Sequence, residues 1–250
     1  MSGKTEKKQE LAIVGIGPGT PSMRTRAADA AVREADVIVG YKTYIDLIAD
    51  LTTEKRIDST GMRDEVKRVN RAIDYVLGGN SVALISSGDP GVYGMAGLAL
   101  ELCRSRAVAI PVRVVPGITA ANSAAALLGA PLSCDYCVLS LSDLLVPEKQ
   151  ILQRARAAAA GDFVTVLYNP VSKKRTALIH EIRGLYLEQR SPETPVGIVR
   201  NSFREGQAVT VSTLERFTSL PIDMLTTVVL GNSQSLQWNG CMINPRGYRV

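Results

Sequence analysis

Three times in the first half of this chain a short apolar run breaks straight into a glycine-rich turn. Leu11–Gly15 runs into Gly17-Pro18-Gly19, residues 81–86 into Ser87-Gly88-Asp89-Pro90-Gly91, and Val112–Val115 into Pro116-Gly117. Each apolar run reads as a buried strand, and the stretch behind each turn is suited to a helix. Strand, helix, strand in repetition predicts an α/β fold built on a mainly parallel sheet with crossovers. The turns then stand at strand carboxyl ends, where such sheets hold ligands.

The rest of the chain fills in that rhythm and then changes it. Helices are predicted over 23–34, 43–50, 63–77, 92–104 and 117–128, with strands over 36–40 and, weakly, 56–58. Within 63–77 the apolar Val66, Val69, Ile73, Val76 and Leu77 recur at helical spacing. After Gly129-Ala130-Pro131 come a strand over 136–141, a helix over 147–160, a strand over 163–168 and a helix over 172–186 capped by Ser172. Closely spaced β-branched runs at 196–200, 208–212 and Thr226–Leu230 predict a mixed sheet with antiparallel members. The organisation expected is a polar leader over 1–10, an N-terminal lobe over 11–132 and a C-terminal lobe over 133–250, two α/β lobes with a cleft between them.

Composition narrows the function. In 250 residues, 46% are hydrophobic and 21% charged, enough for a real core. Only 5% are aromatic, which argues against reading single-stranded nucleic acid by base stacking. Lys and Arg number 29 against 24 Asp and Glu; Lys4, Lys7 and Lys8 of the leader carry part of that excess, so it fits a polyanionic small substrate without demanding nucleic acid. With no membrane span or signal peptide in the pattern, the cytoplasm is the expected compartment. Cys134 and Cys137 make a lone C-x-x-C at the start of an apolar strand, Cys103 and Cys241 are scattered, and His180 is the only histidine. A protein-held metal and Ser-His-Asp hydrolysis are both disfavoured.

The first turn, Gly15-Ile16-Gly17-Pro18-Gly19-Thr20, invites a dinucleotide reading and fails it. The sixth position is Thr20, and no acidic residue closes the second strand, which ends at Gly40. No G-K-[ST] follows, so a phosphate-binding P-loop is excluded. In the second turn, glycines at 88, 91 and 94 expose backbone groups and Asp89 offers a carboxylate, either as a helix cap or toward a ligand. Three such turns at three strand ends make a composite small-ligand pocket.

Taken in order, Gly15-Ile16-Gly17-Pro18-Gly19, Gly88-Asp89-Pro90 with Tyr93-Gly94, and Val115-Pro116-Gly117-Ile118-Thr119-Ala120 resemble the tetrapyrrole methylases over about residues 10–248. That resemblance implies S-adenosylmethionine-dependent enzymes of siroheme and cobalamin synthesis, with two α/β lobes around a cleft, usually homodimeric. Further segments are similar to the precorrin-3B C17-methyltransferase branch: Gly40-Tyr41-Lys42-Thr43-Tyr44, Ser86-Ser87-Gly88-Asp89-Pro90-Gly91-Val92-Tyr93-Gly94-Met95, Leu139-Ser140-Leu141-Ser142-Asp143, Leu167-Tyr168-Asn169-Pro170 and Pro245-Arg246-Gly247-Tyr248. The branch methylates C17 of precorrin-3B with corrin ring contraction to precorrin-4; the cobalt-bound counterpart of the anaerobic pathway is the alternative.

Carried across by motif, the resemblance assigns Pro18, Ser87, Gly88, Asp89, Val92, Thr119 and Ala120 to the cofactor. Asn169, Ser202 and Thr226 join them from the second lobe, although Tyr168-Asn169-Pro170 and Asn201-Ser202 depart from the family pattern. Ring contraction needs proton transfers, for which Asp143, Tyr93 and Lys42 are the candidates in that order. Arg63, Lys173 and Arg175 are candidates to receive the carboxylates of the macrocycle, with Arg68 and Lys174 beside them. The rival class is a nucleotide-binding α/β protein, separated by whether S-adenosylhomocysteine or NAD raises the melting temperature.

Overall fold

The computed structural model describes residues 9–249; most of the expected polar leader lies outside them. The chain divides between Thr119 and Ala120 into two compact units. The sequence boundary at 132/133 is thus later than the observed one, because the helix expected over 117–128 packs within the second unit.

In the first unit the elements are β1 (Leu11–Gly15), α1 (Arg26–Glu34), β2 (Val37–Tyr41), α2 (Lys42–Asp46), β3 (Arg56–Thr60), α3 (Glu65–Leu77), β4 (Val82–Ser86), α4 (Met95–Ser105) and β5 (Val112–Val115). The five strands form one parallel sheet in the order β3-β2-β4-β1-β5. Every residue of β1 is buried because both faces are covered. Ala12 and Val14 join Ala28, Ala31 and Val32 of α1 on one face, while Leu11 and Ile13 join Val69, Ile73 and Val76 of α3 and Ala99 of α4 on the other. The helix predicted from residue 23 starts at Arg26 instead. Thr25 caps it, its Oγ1 accepting the Ala28 N–H at 3.0 Å. Val66 and Leu77, expected on the core face of α3, are exposed: the buried stripe runs through Val69, Ala72, Ile73 and Val76.

The second unit contains α5 (Ala120–Leu128), β6 (Gly129–Ala130), β7 (Tyr136–Ser140), α6 (Glu148–Ala160), β8 (Val164–Tyr168), α7 (Leu178–Leu187), β9 (Pro195–Arg200), β10 (Ala208–Thr213), β11 (Thr226–Leu230), β12 (Leu236–Trp238) and β13 (Cys241–Ile243). Its main sheet runs β10-β9-β11-β8-β7, with only the β7–β8 pair parallel. Ala121, Ala124 and Leu128 of α5 cover one face over Val164, Val166, Val199 and Val229. Helices α6 and α7 cover the other over Leu167, Val196, Ile198, Val228 and Leu230. A small third sheet, β12-β13-β6, was not foreseen. The helix expected from Ser172 begins at Leu178; residues 172–175 form a tight turn instead.

Candidate active site

In the parallel sheet β1 leads to β2 on one side of it and β4 leads to β5 on the other, so the crossovers diverge between the adjacent β1 and β4. A crevice opens at such a point. Here the two turns that border it are joined: Gly17 N–H donates to Gly88 O at 3.1 Å and Gly88 N–H donates to Gly17 O at 2.9 Å. Both glycines hold left-handed φ, +63° and +64°, which a Cβ would penalise. The third turn closes in from β5. A Cβ on Gly117 would stand 2.1 Å from Gly88 O, and one on Gly15 would stand 2.8 Å from Gly117 N, so the turns meet backbone to backbone.

Asp89 ties the second turn to the third. Its Oδ1 accepts the Gly91 N–H at 2.8 Å and its Oδ2 accepts the Gly117 N–H at 3.1 Å. A carboxylate accepts more than two hydrogen bonds, so each oxygen retains capacity for a ligand donor. Val92 N–H donates to Asp89 O at 3.3 Å, and Ala96 N–H to Pro90 O at 2.9 Å as α4 begins. Pro18 is buried, while Ser87, Gly88, Asp89, Val92 and Thr119 are half-buried. The structure therefore gathers six of the seven residues predicted from these turns at one edge of the first sheet; the seventh, Ala120, is half-buried and opens α5 of the second unit.

The other first-unit candidates stand differently. Tyr93 is 59% exposed at φ +51°. Lys42 is exposed on α2, with its Nζ 2.9 Å from Asp46 one turn on. Arg63 is exposed at φ +68° in the turn before α3.

In the second unit, β7, β8 and β9 end at the same edge where β11 starts. Asn169, just past β8, has φ +51° and donates from Nδ2 to Ser140 Oγ at 3.0 Å. Tyr168 Oη accepts the Ala121 N–H at 2.7 Å, meeting one of the amides that the first turn of α5 leaves without a helical partner. Ser202 Oγ lies 3.2 Å from Ser123 Oγ of α5. Thr226 is buried, its Oγ1 accepting the Asp223 N–H at 3.1 Å and donating to Asp223 Oδ1 at 2.9 Å, so it shapes the turn into β11. Burial pushes the Asp223 carboxyl up, but hydrogen bonds from Arg200, Thr226 and the Leu225 N–H outweigh it and hold the group below its ordinary value.

Asp143 follows β7 and pairs with Arg175 at 3.0 Å, which holds its carboxyl below the usual range. Arg175, expected to receive substrate carboxylates, is buried and committed to Asp143 and the Asn169 carbonyl; Lys173 beside it is exposed. Tyr168, Ser123 and Ser140 were not singled out as site residues. Tyr168 and Ser140 lie inside segments already marked by resemblance, whereas nothing in the sequence marks Ser123. The C-x-x-C pair does not converge: Cys134 Sγ donates to Pro245 O at 3.2 Å and Cys137 Sγ lies 3.4 Å from Thr165 Oγ1. Among the described residues no group of three or more His, Cys, Asp or Glu is arranged to hold a metal, and no helix is long and apolar enough to cross a membrane.

Comparison with known proteins fits this geometry. Residues 10–218 match the family model for tetrapyrrole (corrin/porphyrin) methylases. The chain is 46% identical over 246 residues to a cobalt-factor III methyltransferase of Priestia megaterium; the match covers 97% of this chain but only about half, 46%, of that protein. It is 44% identical over 240 residues to a probable cobalt-factor III C(17)-methyltransferase of Salmonella typhimurium, covering 96% of this chain and 100% of the other. The solved structure of the methyltransferase CobJ superposes with a TM-score of 0.89 at 34% identity, covering 94% of this chain and 99% of that one. With a family match across most of its length, and glycine turns meeting at the switch point of a parallel sheet, the chain belongs to the tetrapyrrole (corrin/porphyrin) methylases.

Proposed function

We propose that this protein transfers a methyl group from S-adenosylmethionine to C17 of a cobalt-bound tetrapyrrole intermediate of cobalamin biosynthesis, at the stage of ring contraction. The observation that carries this reading is the 44% identity to a C(17)-methyltransferase of matching length named for cobalt-factor III. The Priestia relative, named for the same substrate, is why the cobalt-bound macrocycle is preferred to the precorrin-3B expected first. The cobalt belongs to the substrate. A homodimer in the cytoplasm accompanies the reading, on the family resemblance, and light scattering checks the dimer.

The turns fit the methyl donor. The turns pack backbone against backbone at Gly15, Gly88 and Gly117, with the Pro90 ring beside Gly15, and we assign to the donor the backbone groups of these turns, the Asp89 carboxylate and the half-buried Ser87 and Thr119. That set suits the amino-acid, ribose and adenine groups of a nucleoside sulfonium, which need both donors and acceptors. When bound, the cofactor supplies an electrophilic methyl group. The chain's own part is to align donor and acceptor for in-line displacement and to exclude water, which needs no protein acid or base for the transfer itself. Pro18 and Val92 are assigned to the apolar walls of the donor site and Asp89 to fixing the turns; Asn169 and Ser202, in the second unit, are assigned to the cofactor on the family resemblance alone. Exposed Lys173 and Arg63 stay assigned to the macrocycle's carboxylates.

Incubation of the purified protein with S-adenosylmethionine and either cobalt-factor III or precorrin-3B tests the reading. One added methyl by mass and a shifted absorbance with the cobalt form is the expected result. Turnover of neither macrocycle overturns it.

A further inference from the structure

Beyond β8 the chain stays out of helix until Leu178, and the reason is a turn closed by Ser172 and Arg175. Ser172 N–H donates to Arg175 O at 3.0 Å, while Arg175 N–H donates to Ser172 O at 3.2 Å and to Ser172 Oγ at 3.1 Å. The turn points Lys173 and Lys174 outward and folds Arg175 inward, where its side chain is 8% exposed. Nη1 donates to Asp143 Oδ1 at 3.0 Å and Nη2 donates to the Asn169 carbonyl. One guanidinium thus spans the loop after β7 and the loop after β8, alongside the bond from Asn169 Nδ2 to Ser140 Oγ.

Folding alone does not explain this choice: Asp143 is 44% exposed, so its pairing with the buried guanidinium adds little stability, and an apolar side chain fills the buried part of the space without desolvating a charge. Nor does the guanidinium have its full set of partners: Nε is buried without one. What the planar fork does provide is two donors in fixed relation, one on a carboxylate and one on a peptide carbonyl. The carbonyl belongs to a non-glycine residue at φ +51°, a conformation that persists where its surroundings enforce it.

We infer that Arg175 is a positioning residue for the methyl transfer, acting through the Asn169 peptide and the Asp143 carboxylate and not by touching the macrocycle. The inference rests on the proposed C17 methylation. Four variants test it against the parent: Arg175→Met, Arg175→Lys, Asp143→Asn and the double variant Arg175→Met/Asp143→Asn. Turnover number and KM for each substrate are read beside calorimetric affinity for S-adenosylhomocysteine and the near-ultraviolet circular dichroism of each protein.

Arg175→Met is expected to lower kcat on the order of a hundredfold, the scale of a misplaced site, with its folded spectrum intact. S-adenosylhomocysteine affinity falls about tenfold as Asn169 relaxes, and the macrocycle KM stays within about threefold of the parent. Arg175→Lys falls between, since an ammonium reproduces one tie and not the fork. The double variant is no worse than Arg175→Met, because the two residues act as one unit. A raised macrocycle KM with kcat intact overturns the inference in favour of direct carboxylate contact. Losses that track only the folded fraction, or that multiply in the double variant, overturn it in favour of a structural role. If Arg175→Met does not fold, Arg175→Lys and Asp143→Asn carry the same comparison. If the parent binds S-adenosylhomocysteine but methylates neither macrocycle, the substrate reading fails, and Arg175 is judged on affinity alone.

Discussion

The carboxylate of Asp89 accepts the backbone N–H of Gly117 at 3.1 Å, linking the turn after β4 to the turn after β5 across the crevice edge. Its other oxygen holds the Gly91 N–H at 2.8 Å, so this one side chain orders two of the three turns. Asp89→Ala leaves both donors without their acceptor, at a cost of about 1–3 kcal/mol, and weakens S-adenosylhomocysteine binding as well. Asp89→Asn, with a single acceptor oxygen, falls between. Urea unfolding and calorimetry on the three proteins check this; equal affinities for parent and Ala variant remove Asp89 from the site.

Glycine replacements separate close approach from mere helix content. Gly117→Ala puts a methyl group 2.1 Å from Gly88 O, where backbone has to shift, so destabilisation of about 2–4 kcal/mol and loss of cofactor affinity are expected. Gly97→Ala, exposed within α4 with nothing within 4 Å, stabilises by about 0.5–1 kcal/mol and leaves affinity unchanged. Thermal unfolding with and without S-adenosylhomocysteine reads both.

Acid lability follows from three carboxylates held below their ordinary range. Hydrogen bonds from Arg24 hold Asp50 down, the Arg175 bond holds Asp143, and the bonds to Asp223 outweigh its burial. A group depressed in the folded state contributes stability above its unfolded pKa and loses it as pH falls through the folded one. Their share is therefore full above about pH 5 and declines from about pH 4 downward. Asp50→Asn lowers stability at pH 7 by about 1 kcal/mol or less, since Asp50 is half exposed, and the gap from the parent narrows as pH falls below about 4. A gap that does not change with pH contradicts the assignment.

Salt distinguishes the two substrates. Exposed cations facing a polycarboxylate lose attraction as ionic strength rises, whereas a cofactor held mainly by backbone groups responds little. The KM for the macrocycle rises steeply from low to high salt, that for S-adenosylmethionine stays nearly flat, and Lys173→Ala or Arg63→Ala flattens the first slope. Parallel slopes in the parent remove Lys173 and Arg63 from substrate recognition.

The first sheet was legible mainly through β1, β4 and β5, each short, largely apolar and ended by a glycine turn, whereas β3, Arg-Ile-Asp-Ser-Thr and mostly exposed, gave only a weak signal. Pro18, Ser87, Gly88, Asp89, Val92 and Thr119 fall on those turns or just behind them, and their assignment to the cofactor comes from the resemblance. What escaped depends on distant partners. Ser172 looks like a helix cap in isolation, but it closes a turn with Arg175, whose side chain bonds to the distant Asp143 and Asn169, and the helix begins only at Leu178. Strand β6 is two residues long and exists through pairing with β13. The α5 helix reads as a continuation of the first lobe until its small residues are seen to cover β8, β9 and β11.

That β6–β13 pairing also orders events in time. Met242 pairs with Gly129 and Ile243 with Ala130, in parallel, so the strand that starts the small sheet waits for one made near the end of the second unit. Contacts this distant in sequence close late in folding. On the ribosome the first unit has its five strands in hand early, whereas the second holds Gly129–Ala130 unpaired until residue 243 has emerged. A nascent chain arrested before that point therefore presents a finished parallel sheet joined to a unit whose small sheet has yet to form, and that half is where chaperones and proteases find their opportunity.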